Sequence, residues 1–173
     1  MECLKRYGVR KTTVEQLTGM AGISKGSFYS FYDSKELLMF EVIDEFGRPI
    51  QQKFGEKLRA SGQDARQIAD ALYGMCIATK SSFIVDLVKN DEFDYLMRKL
   101  PEKAVIKGFE LDNTFIEQYF TGFLRADIDP ATVLSGMTML YSTMMHIEWY
   151  PAGQYEKALK LLIDAFIDEI IKK

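Results

Sequence analysis

Histidine is all but missing from this chain of 173 residues, where His146 is the single example. That excludes most histidine-based metal sites. Cysteine is nearly as scarce: Cys3 and Cys76 stand far apart with no C-x-x-C spacing, a pattern that fits reduced thiols and builds neither a disulfide framework nor a structural zinc. Long apolar runs are absent too. No stretch reaches the roughly 18 residues a membrane span needs, and the oiliest, 134–150, is interrupted by Ser135, Thr138, Ser142, Thr143, His146 and Glu148. The opening residues MECLKRYGVRKTT carry charge early and lack the layout and cleavage site of a secretory signal. No Gly-rich phosphate loop, zinc spacing or EF-hand pattern occurs. The expectation is a soluble, cytoplasmic protein with no cofactor and no metal, and not an enzyme.

What is present is an ordinary globular composition, 47% apolar and 27% charged, enough for a full hydrophobic core. Charge is unevenly placed. Residues 1–35 hold six basic against three acidic side chains, whereas the rest holds 16 against 22. The chain is net negative at −3, yet its N-terminal end alone suits a polyanion.

Almost every segment repeats at a helical period and none shows the alternation of strands, so the fold class expected is all-α. Thr12-Thr13-Val14-Glu15 fits a capping box with Thr12 as cap and Glu15 reaching back, predicting a short helix from Thr13 with Val14, Leu17 and Met20 inward. Gly22 supplies the turn, and Ser24 caps a second helix through Phe28. Asp33-Ser34, with Asp33 paired to Glu36, opens a third helix from Lys35 that Gly47 and Pro49 should break or kink. Further helices are expected over 64–81, 83–88, 92–100, 114–124, 130–150 and 154–172, the fifth opened by Asp129-Pro130. The one division expected within this helical stack separates residues 1–46 from residues 47–173.

Two short helices joined by a glycine-containing turn make a helix-turn-helix, whose second helix enters a DNA major groove. In SKGSFYSFYDSK, Phe28 and Tyr32 share an inward face, while Lys25, Ser27 and Tyr29 lie outward. Lysine offers a cation, serine and tyrosine offer donors to phosphate, and Gly26 allows close approach of backbone.

The stretch YGVRKTTVEQLTGMAGISKGSFYSFYDSKELL, within residues 4–38, resembles the DNA-binding signature of the tetracycline-repressor (TetR) family of bacterial transcriptional regulators. The shared features are the paired threonines, the alanine-glycine turn, Ser-Lys-Gly, the aromatic cluster and Ser-Lys-Glu-Leu-Leu. By position the resemblance implies that Thr13 touches phosphate and that Lys25, Gly26 and Ser27 begin the recognition helix. It implies further that Tyr29, Ser30 and Phe31 reach base edges or backbone, and that Lys35 pairs with phosphate. The family commonly has further residues ahead of the segment matching CLKRYG, so the first helix is expected to be short. Asp33 is acidic where the family favours a basic or neutral residue. Phe31, which cannot hydrogen-bond a base, either touches a thymine methyl or packs on the following helix.

Beyond the motif the resemblance implies a ligand cavity. Tyr73, Met75, Phe83, Tyr119, Phe120, Phe123 and Trp149 fall on different expected helices, as residues that either line a pocket for a largely apolar small molecule or fill the core. The last two helices have more apolar surface than one partner covers. Two copies would form a four-helix bundle, with Gly136 permitting close approach and Leu140, Met144, Leu159, Ile163, Phe166 and Ile170 in contact.

Other constellations are weaker. Gly22-Ile23-Ser24-Lys25-Gly26 formally matches G-x-S-x-G, but a helical chain with one histidine lacks the sheet and partners a nucleophile elbow needs. Asp91, Glu92 and Asp94 read as a solvated helix start rather than a cation site, and His146 as an interfacial or core residue. The function expected is a homodimeric, ligand-responsive transcriptional regulator, a repressor released from a near-palindromic operator by a small-molecule inducer. The alternative is a helical ligand- or protein-binding module whose head is weakened or vestigial.

Overall fold

A computed structural model describes residues 1–105, 114, 117–120 and 122–171. It is all-α, and among the described residues the nearest thing to a strand is an isolated antiparallel bridge between Leu124 and Ile171. Three helices form the head: α1 (Glu2–Lys11), α2 (Val14–Ala21) and α3 (Lys25–Tyr29). The body follows with α4 (Lys35–Ala60), α5 (Ala65–Lys80), α6 (Phe83–Lys89), α7 (Glu92–Lys99) and α8 (Pro130–Ser142), then a 3₁₀ segment (Thr143–Trp149) and α9 (Tyr155–Ile170).

Two of these helices are capped one residue later than the sequence predicts. Thr13, not Thr12, caps α2: its hydroxyl accepts from the Gln16 amide, and the Gln16 side chain accepts from the Thr13 amide. Thr12 is instead buried, donating to Gly8 O at 2.6 Å. Likewise Ser34, not Asp33, caps α4 by accepting from Leu37 N at 3.3 Å. Ser24 and Asp129 cap α3 and α8 as expected, with Pro130 in the first turn of α8, and Asp64, expected only as the start of a helix, caps α5. The inward face of α2 also shifts, since Met20 is exposed and Thr18 is buried.

The break expected at Gly47–Pro49 does not occur, and α4 runs unbroken through both for 26 residues. Pro49 removes one donor, so Glu45 O loses a helical partner. Glu45 and Pro49 are both exposed, so the freed carbonyl faces solvent, which can satisfy it, and the helix need not end there. In contrast, the helix expected over 130–150 changes character after Ser142: the chain tightens to 3₁₀, with His146 off helical geometry at φ −125°, ψ 37°. The helix expected over 114–124 falls largely outside the described residues. Positions 114 and 117–120 are helical, while Leu124 pairs with Ile171 and Arg125 N donates to Ile170 O at 3.0 Å.

Two apolar clusters hold the molecule together. The larger joins Phe54 and Leu58 of α4, Ile68 and Leu72 of α5, Phe120, Val133 of α8, and Leu159, Ile163 and Ile167 of α9. The smaller joins Leu4 and Val9 of α1, Met39 and Ile43 of α4, Ile84 and Leu87 of α6, and Leu96 of α7. The head therefore does not bury its apolar faces alone. Its core is completed by α6 and α7, and α4 contributes its first half to one cluster and its second half to the other.

Candidate nucleic-acid interface

The geometry of α2 and α3 is set by a few local choices. Gly22 adopts the left-handed conformation at φ 68°, and its amide donates to Thr18 O to close α2. Two residues later Ser24 accepts from Ser27 N at 3.0 Å and starts α3. Phe28 is buried and meets Tyr29 edge-on at 5.3 Å and Tyr32 at 5.9 Å between ring centroids. Tyr32 in turn donates to Glu41 Oε2 at 2.6 Å, which pins the end of α3 to α4.

With Phe28 inward, α3 presents Lys25, Gly26, Ser27, Tyr29 and Ser30 to solvent. Phe31 is 79% exposed, so of its two expected placements the surface one is found and packing on the following helix is not. A methyl at Gly26 would meet nothing nearer than Ser24 Oγ at 3.7 Å. The bare backbone there faces outward, where a molecule outside the chain can approach closely. Thr13 is exposed beside this face, and its hydroxyl accepts from Gln16 N and lies within hydrogen-bond reach of the Glu15 carboxylate.

The two lysines expected to meet phosphate are already engaged. Lys25 Nζ pairs with Glu15 of α2, and that ion pair, followed by the backbone amide of Glu15 itself and the Thr13 hydroxyl, holds the Glu15 carboxyl below its usual range. Lys35 differs from its expected role more sharply. Its side chain is only 18% exposed, and its ammonium donates to Val9 O at the end of α1 and pairs with Glu36 at 3.4 Å. Lys35 thus docks α1 onto α4, its ammonium turned to a carbonyl in the last turn of α1.

A second feature escaped the sequence reading. Gly8 interrupts α1 at φ 72°, ψ −174°, a conformation that only glycine adopts readily. The Glu92 carboxylate sits against it, with Cδ 2.9 Å from where a Cβ would stand, and accepts from Arg10 N at 2.8 Å. Arg10 Nη2 donates to Asp91 O at 2.9 Å, and its guanidinium lies 5.2 Å from the Tyr95 ring centroid. The acidic run at 91–94 is therefore neither a cation site nor merely a solvated helix start: Glu92 caps the second half of α1 from across the molecule. Only the pairing of a glycine near the N-terminus with distant acids hinted at this, and sequence distance concealed it.

The residues expected to line a ligand cavity do not gather at one place. Tyr73, Met75, Tyr119 and Phe123 pack partly buried against the larger cluster, and Phe120 is wholly inside it, 5.9 Å from Phe54. Phe83 belongs to the other cluster, edge-on to Phe46 at 4.8 Å. Trp149 is 73% exposed and stacks on His146 at 4.1 Å, so neither lines the body interior, and His146 is a surface residue. A pocket of about 370 Å³ lies elsewhere, between α1 and α2, bordered by Glu2, Arg6, Tyr7, Glu15, Gln16 and Met20.

The expected dimer contacts also fall inside the protomer. Leu140, Met144, Leu159, Ile163 and Ile170 are buried in the larger cluster, and Gly136 is covered by the Phe166 ring of the same chain. The apolar surface left over is one helical step round: Ala158, Leu161, Leu162 and Ala165 on α9 are exposed, as is Met139 on α8. Among the described residues no single helix is long and apolar enough to cross a membrane.

Residues 1–42 match the family model for bacterial regulatory proteins of the tetR family. A curated relative, the HTH-type transcriptional repressor KstR2 of Rhodococcus jostii (strain RHA1), is 29% identical over 164 residues, an alignment spanning 84% of this chain and 73% of that protein. A solved structure, that of the ketosteroid transcriptional regulator KstR2 of Mycobacterium tuberculosis, covers 99% of this chain and 91% of that one at 19% identity and a TM-score of 0.35.

Proposed function

Residues 1–42 match the model of the TetR family of bacterial regulatory proteins, and from that premise we propose that the protein is a member of that family, a ligand-responsive transcriptional repressor acting as a homodimer on a near-palindromic operator. The observation that carries this reading is the outer face of α3, where Lys25, Gly26, Ser27, Tyr29 and Ser30 stand exposed around a buried Phe28. Tyr29 and Ser27 supply neutral donors for phosphate and base edges, Gly26 lets the backbone approach, and Phe31 offers apolar contact to a thymine methyl. Repression, rather than activation, is favoured by the name of the Rhodococcus relative.

Two copies pair through the exposed stripe of α9, with Leu161 and Leu162 at its centre and Met139 of α8 beside it. The two-fold axis then presents two α3 helices to successive major grooves, roughly 34–36 Å apart. An apolar inducer binds within the helical body, whose larger cluster has Tyr73, Met75 and Phe123 packed partly buried against it. It favours an arrangement of α4 in which the two heads no longer match that spacing, and operator affinity falls by the difference in its affinity for the two arrangements.

Fluorescence anisotropy against duplexes tiled across the upstream region of the gene, with a scrambled duplex and a salt series, tests the reading. The expected result is sequence-preferring binding that weakens steeply with salt, lost by about tenfold or more in Lys25→Ala or Tyr29→Ala at unchanged thermal stability. Equal operator affinity in both variants would remove α3 as the reading helix.

A further inference from the structure

The best-placed cation on the reading face is not idle in the unbound protein. Lys25 opens α3, and its ammonium is held by the Glu15 carboxylate from the first turn of α2, both side chains being more than half exposed, at 54% and 60%. The neighbouring lysine offers no substitute, since Lys35 is committed to Val9 O and Glu36. The rest of the chain, residues 36–173, is negative on balance, with 16 basic against 22 acidic side chains. We propose that Glu15 is a specificity-determining residue of this head: by pairing with Lys25 it withholds one cation from the phosphate backbone of arbitrary sequence, and it yields that cation only where the other contacts of α3 are satisfied.

This inference rests on the DNA-binding reading above and adds a role for a residue that touches no base. A phosphate that takes Lys25 must displace a carboxylate already in place and leave that carboxylate beside a polyanion. On random sequence nothing offsets this, so Lys25 contributes little. On a matched site the side chains around Ser27 and Tyr29 seat the head firmly enough for the exchange to occur. Opposing charge at a binding face, set against the wrong partner rather than for the right one, raises the ratio of specific to non-specific binding.

The test is anisotropy of the full chain with a scrambled duplex over a salt series, for wild type, Glu15→Gln, Lys25→Ala and the double variant. Glu15→Gln keeps the shape of the side chain and leaves the Thr13–Gln16 cap intact. It is expected to bind the scrambled duplex more tightly, with a salt slope steeper by about 0.9, so that the gain shrinks about 3.5-fold between roughly 50 and 200 mM salt, as one added phosphate contact requires. In the Lys25→Ala background the gain should vanish. An unchanged slope in Glu15→Gln overturns the proposal, and so does a gain that survives in the double variant, which would mean general repulsion rather than control of Lys25. Wild type that binds no duplex in a salt-dependent way overturns the DNA-binding reading itself, and this proposal with it.

Discussion

The hydroxyl of Tyr32 is the clearest case of one atom fixing the head. It donates to Glu41 Oε2 at 2.6 Å, and that bond, with burial second, pushes the phenol up to about 12. The unfolded value is about 10, so the folded state binds the proton more tightly. The stability this contributes is whole below about pH 10 and is lost as pH rises from there towards 12. Tyr32→Phe should lower stability by about 1 kcal/mol at neutral pH. Urea unfolding of both proteins across that range should show their difference shrinking above about pH 10, and a difference that stays flat would mean the bond does not persist in solution. At this scale the sequence was informative but ambiguous. Thr12-Thr13 and Asp33-Ser34 each offer two cap-competent neighbours, and only the backbone angles of the folded chain choose between them. Thr12 is unavailable because its hydroxyl turns inward to Gly8 O and Cys3 O. Gly22 and Ser24 had no competitor and could be placed from sequence alone.

Among the elements, α8 and α9 show how far periodicity reaches. The helices themselves and the cap at Asp129 follow from spacing, which is local, although spacing carries the first of them past Ser142, where the chain turns 3₁₀ instead. Which of two adjacent stripes on α9 faces inward is not local. Leu159, Leu161, Leu162 and Ile163 are equally apolar, and the choice depends on what Val133, Leu140 and Phe120 present from other helices. The contact at Gly136 is similarly non-local: a Cβ there would stand 2.4 Å from Phe166 Cε2. Gly136→Ala gains about 1 kcal/mol of helix propensity and incurs about 1–3 kcal/mol of overpacking. The expected net is a loss of about 1 kcal/mol in thermal denaturation, and a gain instead would show that the Phe166 ring swings aside without cost. The clamp between Glu92 and α1 lay beyond the sequence for the same reason, because it joins residues more than 80 positions apart.

For the whole molecule, the exposed stripe Ala158, Leu161, Leu162 and Ala165 has the character of a covered face left open in one protomer. Leu161, at 70% exposed, makes no contribution to the protomer's own clusters. Leu161→Asp should therefore leave the thermal stability of the isolated fold nearly unchanged while converting a dimer to a monomer in size-exclusion light scattering at micromolar concentration. A wild-type protein that is already monomeric there would set the homodimer aside. The continuous helix α4 has a mechanical meaning for such a dimer. At 1.5 Å per residue its 26 residues make a rod about 39 Å long, clasped by the larger cluster at one end and carrying the head at the other. A tilt of about 5° at the clasped end displaces the far end by roughly 3.4 Å, the rise of one base pair. In the proposed dimer a side-chain rearrangement of a few tenths of an ångström in the body would thereby be geared up to the step size of a duplex.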